Sequence, residues 1–245
     1  MKTRVLVDVG NSRVKWALAE GGRLLPGDGR AHGGDPAGAL ADAALPPVDE
    51  VWVADVVRGA RREAVARVLQ QRCSAVPRFA TVRAQHAGLT CAYADPSRLG
   101  VDRWLMLLAA WSHGERGACV AGAGTALTFD AVDGVGRHRG GCIAPGIGVM
   151  QRAVLDATTF TLLDSGTVDS DSLGVDTETC VRQGALNAAA GMLDRLAARY
   201  GAEVDCLLAG GDAERLLPLL HTRWQHRPAL VLEGLLAFAL TETAD

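Results

Sequence analysis

One stretch near the N-terminus gathers groups that could act on a phosphate. Asp8, Val9, Gly10, Asn11, Ser12, Arg13, Val14 and Lys15 offer a carboxylate, a glycine, an amide, a hydroxyl and an ammonium within eight residues. Glycine lets a backbone come close to a ligand, and the exposed N–H groups of such a turn can cradle phosphate oxygens. Asp8 could hold a metal, directly or through water, and Lys15 could meet a phosphate as a point charge. Arginine outnumbers lysine 23 to 2, so lysine at position 15 is an unusual choice. An ordinary Asn-Ser hairpin would account for the same letters.

The elements that would position these groups are two short apolar runs. Arg4 to Val9 reads as a buried strand, and Val14-Lys15-Trp16-Ala17-Leu18 follows at once, so the unit is a hairpin. Val120 to Asp130 repeats the design, with Gly10 matching Gly124 and Asn11 matching Thr125. Two such hairpins point to a duplicated domain with one nucleotide clamped between its halves. That arrangement is similar to the acetate and sugar kinase, Hsc70 and actin superfamily. The expected fold is α/β and duplicated actin-like, in two halves of mixed sheets flanked by helices, spanning residues 1–115 and 116–245.

Composition sets the outer bounds. In 245 residues, 49% are hydrophobic and 22% charged, which describes a globular protein with an ample core. A net charge of −3 argues against nucleic-acid binding, which needs a basic face. The six cysteines are scattered without a C-x-x-C pair, and most sit in apolar runs. They read as buried free thiols in a reducing compartment. Asp8 interrupts the first apolar run too early for a signal peptide, and Leu230 to Leu240 is too short to span a bilayer. The expectation is a cytoplasmic protein with no membrane partner.

Along the chain, Arg23-Leu24-Leu25 reads as a third strand and residues 26–49 as a surface connection with one short helix. Val51 to Ala54 is a buried strand, Arg58 to Arg72 a helix and Phe79 to Val82 another strand. Ser97, after Pro96, is the expected N-cap of a helix running to about His113. Asp102 and Arg103 sit early in it. A carboxylate in a cleft can accept a proton from a substrate hydroxyl, and an arginine can hold an anionic group. Spacing alone favours a plainer account, a solvated pair at a helix start. Gly140-Gly141 and Pro145-Gly146 bracket a strand-to-helix turn. Thr177 to Tyr200 is a long helix stopped by Gly201, with small residues (Gly184, Ala185, Ala188, Ala189, Gly191) that allow a close dimer contact. Cys206 to Asp212 is a strand entering a turn at Gly210 and Gly211, suited to the adenosine end of a nucleotide.

Four motifs in order carry a family resemblance. Asp8-Val9-Gly10-Asn11-Ser12, Gly100-Val101-Asp102-Arg103, Gly124-Thr125-Ala126 and Gly140-Gly141-Cys142-Ile143-Ala144-Pro145-Gly146 resemble those of type III pantothenate kinases, also called the Bvg accessory factor family. The likeness extends to Leu232-Glu233-Gly234-Leu235. It implies a homodimer with its active site at the interface, and phosphorylation of pantothenate by ATP with magnesium, the first step of coenzyme A synthesis. On this resemblance Asp8 to Lys15 form the first phosphate loop, with Asp8 near the magnesium. Gly124 and Thr125 form the second, with Thr125 contacting ATP. Asp102 is the general base, and Gly100, Val101, Arg103 and Tyr93 line the substrate pocket. Thr177, seven residues before Gly184, matches a position that reaches the substrate from the partner subunit.

Gly122 departs from the family pattern, which has Asp there supporting a potassium or ammonium site. Two alternatives stand beside the kinase. Another kinase of the superfamily would be longer and lack the Gly100 to Arg103 motif. A catalytically weak regulatory or accessory protein would keep the fold, but retention of Asp8, Lys15, Asp102, Arg103 and Thr125 favours the enzyme.

Overall fold

Near-continuous apolar runs form the first strand of both glycine-tipped hairpins, as expected of strands buried on both faces, and each hairpin lies at the centre of its own sheet. The structure, a computed structural model, describes residues 2–56, 59–114, 116–159, 173–200 and 204–242. In chain order the elements begin β1 (Thr3–Val9), β2 (Arg13–Glu20), β3 (Arg23–Leu24), β4 (Asp28–Ala31), α1 (Pro36–Ala41), β5 (Glu50–Asp55) and α2 (Ala60–Cys73). They continue β6 (Pro77–Phe79), β7 (Gln85–His86), β8 (Leu89–Thr90), α3 (Val101–Ser112), β9 (Ala118–Ala123), β10 (Ala126–Val132) and β11 (His138–Pro145). The rest are α4 (Ile147–Asp156), α5 (Thr177–Tyr200), β12 (Asp205–Ala209), α6 (Ala213–Leu216), β13 (Gln225–His226) and α7 (Leu230–Glu242).

The chain divides into two units. The first comprises Met1–Glu115, Val135–His138 and Ala229–Asp245, and the second Arg116–Gly134 and Arg139–Pro228. In the first, the strand order is β3-β2-β1-β5-β6, with β4 also paired to β2. In the second it is β11-β10-β9-β12-β13. Each sheet has an antiparallel hairpin (β1–β2, β9–β10) whose first strand pairs in parallel with a later one (β5, β12). The repeat seen as two glycine turns is therefore a repeat of topology.

One face of the first sheet packs Val5, Val7 and Val9 of β1 with Val51 and Val53 of β5 against Leu40 of α1 and Val65 and Leu69 of α2. Helix α3 is buried almost all round. Between Val101 and Trp111 every residue but Asp102 is buried. Each large apolar side chain gains about 1.5–3 kcal/mol on burial, so the helix is anchored and Asp102 is held at a fixed place. Helix α7 lies against it at Gly234, where a side chain would run into the backbone of Leu105. In the second unit Leu127 and Phe129 of β10 pack with Ala185, Leu186, Ala189 and Leu193 of α5.

Several local expectations change. Residues 26–49 include a strand, β4, which is held by backbone pairing of Arg13 through Trp16 with Ala31 through Asp28. Its Asp-Gly-Arg-Ala sequence carries no strand signal, so tertiary context overrides propensity. Strand β6 starts at Pro77 and ends at Phe79 rather than Val82. It pairs with Val51 to Val53, and beyond the Ala80 N–H bond to Val53 the chain leaves the sheet. Ser97 is not the cap of α3. Asp95 caps a short 3₁₀ turn by accepting from the Ser97 N–H at 3.0 Å, and α3 begins after Gly100.

Gly140 and Gly141 lie inside β11, and Gly146 alone caps α4. Only Cys73, Cys119 and Cys206 are buried, while Cys142 and Cys180 are exposed; all six cysteines are free thiols. Helix α5 spans the expected Thr177 to Tyr200. Its small residues divide: Ala185 and Ala189 enter the unit's own core, whereas Gly184, Ala188 and Gly191 are exposed. The expected stop at Gly201 and helix start at Arg58 lie outside the described residues. Among the described residues no helix is long and apolar enough to cross a membrane.

Candidate active site

The antiparallel register of β1 and β2 sets Asp8 directly across from Lys15, and Gly10, Asn11, Ser12 and Arg13 form the connecting turn. The Gly10 N–H donates to the Arg13 carbonyl at 3.0 Å, which closes the turn and leaves Asn11 and Ser12 exposed at its tip. Val9 and Val14 are buried beneath it. Desolvation pushes the Asp8 carboxyl from 3.8 up to about 7; Lys15 pulls it down and the Asp102 charge pushes it up. Asp8, Lys15 and Asp102 thus form one electrostatic group, built from β1, β2 and the first turn of α3.

Asp102 is half-buried and points back along its helix. A side chain at position 100 would meet its Oδ1 at 2.6 Å, so glycine there leaves the carboxylate its room. The Arg–Asp pair is not the solvated one that spacing favoured. Arg103 is 4% exposed and donates from Nη1 to the Tyr93 hydroxyl at 3.2 Å. Tyr93 in turn stacks on the buried His138, with ring centroids 6.1 Å apart and planes within 13°. Val101, the first residue of α3, is buried.

Two histidines here gave no signal in the sequence. His138 accepts from the Ala92 N–H at 3.4 Å and backs Tyr93. His32 follows the unexpected strand β4 and reaches the first turn: its Nε2 is 3.0 Å from the Gly10 carbonyl. Both depend on pairings that join distant stretches of chain.

In the second unit, Gly124 and Thr125 lie exposed in the turn from β9 to β10, closed by the Gly124 N–H bond to Ala126 at 3.1 Å. The Thr125 carbonyl accepts from the Gly146 N–H at 3.0 Å, which sets the start of α4 beside the turn. Gly210 and Gly211 follow β12, and the Asp212 N–H donates to the Ala123 carbonyl at 3.1 Å, so this turn adjoins the end of β9. Gly122 lies in β9 between Thr128 of β10 and Ala209 of β12. Thr177 is exposed at the start of α5, after Asp176, whose Oδ1 accepts from the Thr179 N–H at 2.7 Å. Beside it lies an apolar groove of about 980 Å³ lined by Met150, Val154, Thr177, Val181 and Gly184 among others.

Among the described residues no three His, Cys, Asp or Glu side chains cluster as a metal cage. A half-buried Asp8 near a second carboxylate fits instead a divalent cation that takes most of its ligands from water and phosphate oxygens.

Paired hairpin sheets with a glycine turn at each tip define the duplicated actin-like α/β fold. Solved structures share it: a Baf family protein from Campylobacter jejuni has a TM-score of 0.62 at 18% identity, covering 98% of this chain and 100% of that one. Component A of the (R)-2-hydroxyglutaryl-CoA dehydratase of Acidaminococcus fermentans has a TM-score of 0.53 at 14% identity, covering 100% of both chains. Residues 4–199 match the family model described as type III pantothenate kinase. The type III pantothenate kinase of Xanthomonas oryzae pv. oryzae (strain PXO99A) is 41% identical over 238 residues, 96% of each chain. That of Nitrosococcus oceani is 35% identical over 245 residues, 94% of this chain and 91% of the relative. The chain belongs to the type III pantothenate kinase family.

Proposed function

We propose that this chain transfers the γ-phosphoryl group of ATP to the hydroxyl of pantothenate, with Asp102 as general base, giving 4'-phosphopantothenate in the first step of coenzyme A synthesis. The observation that carries the reading is the grouping of Asp8, Lys15 and Asp102, with Arg103 buried beside Tyr93. Asp102 accepts the hydroxyl proton as the oxygen bonds to the γ-phosphorus. The bond from that phosphorus to the β–γ bridging oxygen breaks, and ADP leaves with the electron pair. Such a transition state needs positioning and charge neutralisation more than covalent chemistry.

Lys15 and the N–H groups of the Asp8 to Lys15 turn receive the phosphates. Gly124 and Thr125 make the second phosphate contact, and Gly210 and Gly211 the adenosine contact. Gly100, Val101, Arg103 and Tyr93 bind pantothenate, whose carboxylate suits the Arg103 guanidinium. Asp8 would hold magnesium, directly or through water, and the chemistry supplied there would be neutralisation of charge on the transferring phosphate. Gly122 offers only a backbone carbonyl to potassium or ammonium, so a monovalent cation is held weakly. Two chains form a homodimer along α5, supported by its exposed Gly184, Ala188 and Gly191 and the apolar groove beside them. In it Thr177 reaches the substrate of the partner subunit. Free thiols at all six cysteines fit work in the cytoplasm.

The test is purified chain with ATP, magnesium and pantothenate, with ADP release followed and the product weighed by mass spectrometry. Stoichiometric 4'-phosphopantothenate is expected. ADP release that does not depend on pantothenate, or none at all, would overturn the reading.

A further inference from the structure

The first phosphate turn is held from behind by a residue outside all four motifs. His32 is 9% exposed and uses all four of its polar groups. Its backbone N–H donates to the Ser12 carbonyl at 3.2 Å, its Nδ1 accepts from the Gly34 N–H at 3.0 Å, and its Nε2 lies 3.0 Å from the Gly10 carbonyl. A carbonyl only accepts and a backbone N–H only donates, so the ring is neutral with its proton on Nε2. Gly33 and Gly34 make this possible. Their φ angles of +55° and +98° fold the chain back beneath the ring, in a conformation that side-chain-bearing residues avoid. The Asp35 N–H bond to the His32 carbonyl at 2.8 Å closes that fold.

We propose that His32 is the positioning residue of the first phosphate turn, fixing the peptide that joins Gly10 to Asn11. A trans peptide is planar, with its C=O and N–H pointing in opposite directions. Pinning the Gly10 carbonyl on Nε2 therefore aims the Asn11 N–H away from the ring, toward the exposed side of the turn. The Ser12 carbonyl is tied to the same residue, so both limbs of the tip hang from one support. Oriented amides cost no reorganisation when a phosphate arrives, whereas a free turn must first be ordered. The role rests on the kinase reading for its ligand, ATP, but not for its geometry.

Two isosteres separate positioning from mere filling of space. Glutamine places an amide N–H where Nε2 lies, so His32→Gln keeps the donor to Gly10 and loses the acceptor for Gly34. Asparagine places an oxygen where Nδ1 lies, so His32→Asn keeps that acceptor and loses the donor to Gly10. Each variant loses one hydrogen bond, and both should lose similar thermal stability. KM for ATP separates them: it should stay within about twofold of the parent in His32→Gln and rise roughly tenfold in His32→Asn, with KM for pantothenate unmoved. Equal KM values for ATP in the two variants would overturn the proposal while leaving the kinase reading intact. Hydrogen exchange of the Gly10 amide gives a readout independent of turnover. It should be faster in His32→Asn than in His32→Gln, and equal exchange would overturn the clamp even if the parent phosphorylated nothing.

Discussion

Asp8 weakens the fold when it is ionised, the form in which the proposed function has it hold a cation. Its carboxyl titrates near 3.8 when exposed and about 7 in the folded chain. Below 3.8 both states carry the proton. Between the two values the unfolded chain has ionised and the folded chain has not, so stability falls as pH rises, then levels off above 7. Asp8→Asn should therefore stabilise the nucleotide-free protein at pH 8 by roughly 1–3 kcal/mol, after allowing for the counter-charge lost to Lys15. The gain should shrink toward pH 5 in urea titrations, and phosphoryl transfer should be lost. A pH-independent difference would contradict the burial of that charge. Gly122 makes an opposite case, a charge removed. Gly122→Asp should introduce or strengthen potassium activation, read as initial rate against potassium at constant ionic strength. Strong, saturable activation of the parent would show that glycine there does not weaken the cation site. Of these residues, Asp8, Gly10 and Lys15 were legible because their types are distinctive and adjacent in sequence. Asp102 was legible only through its motif, since nothing local shows that α3 is buried on every side but one.

Helix α3 explains that ambiguity. A solvated Asp–Arg pair needs a wet helix face, but Arg103 is buried and linked to Tyr93, while Gly234 lets α7 lie against the Leu105 backbone. The first contact spans ten residues, but the second joins stretches of chain over a hundred residues apart. The hairpins were readable because an apolar run and a glycine turn are local signals; β4 was not, because its pairing with β2 comes from the neighbouring strand rather than from its own side chains. Helix α5 was readable over its full length, yet which small residues face outward depends on the sheet it covers. The exposed Gly184, Ala188 and Gly191 lie along one face, beside the groove containing Thr177. Sedimentation at micromolar concentration should give about twice the 25.6 kDa chain mass. Gly184→Arg should shift the protein toward monomer and lower activity together, and a fully active monomer would contradict the proposed role of Thr177.

The same strand order occurs twice in the molecule, each time with a glycine turn where the hairpin's first strand ends. Duplication makes phosphate contacts from two turns reasonable, but it does not choose the acceptor. On the proposed function that choice falls to elements outside the repeat: the Gly100 to Arg103 helix start, Tyr93 and the His138 behind it. Fold and chemistry were therefore legible to different depths, the repeat from two short motifs and the proposed acceptor site only from the family resemblance. Asparagine at position 102 would keep the shape of the carboxylate and remove its basicity. The most direct measurement compares parent and Asp102→Asn for pantothenate-dependent ADP formation, with ATP binding followed by calorimetry on both. Turnover should fall about 10²–10⁴-fold while ATP affinity and thermal stability stay close to the parent's. Turnover at the parent rate would contradict Asp102 as the base and the site built around it.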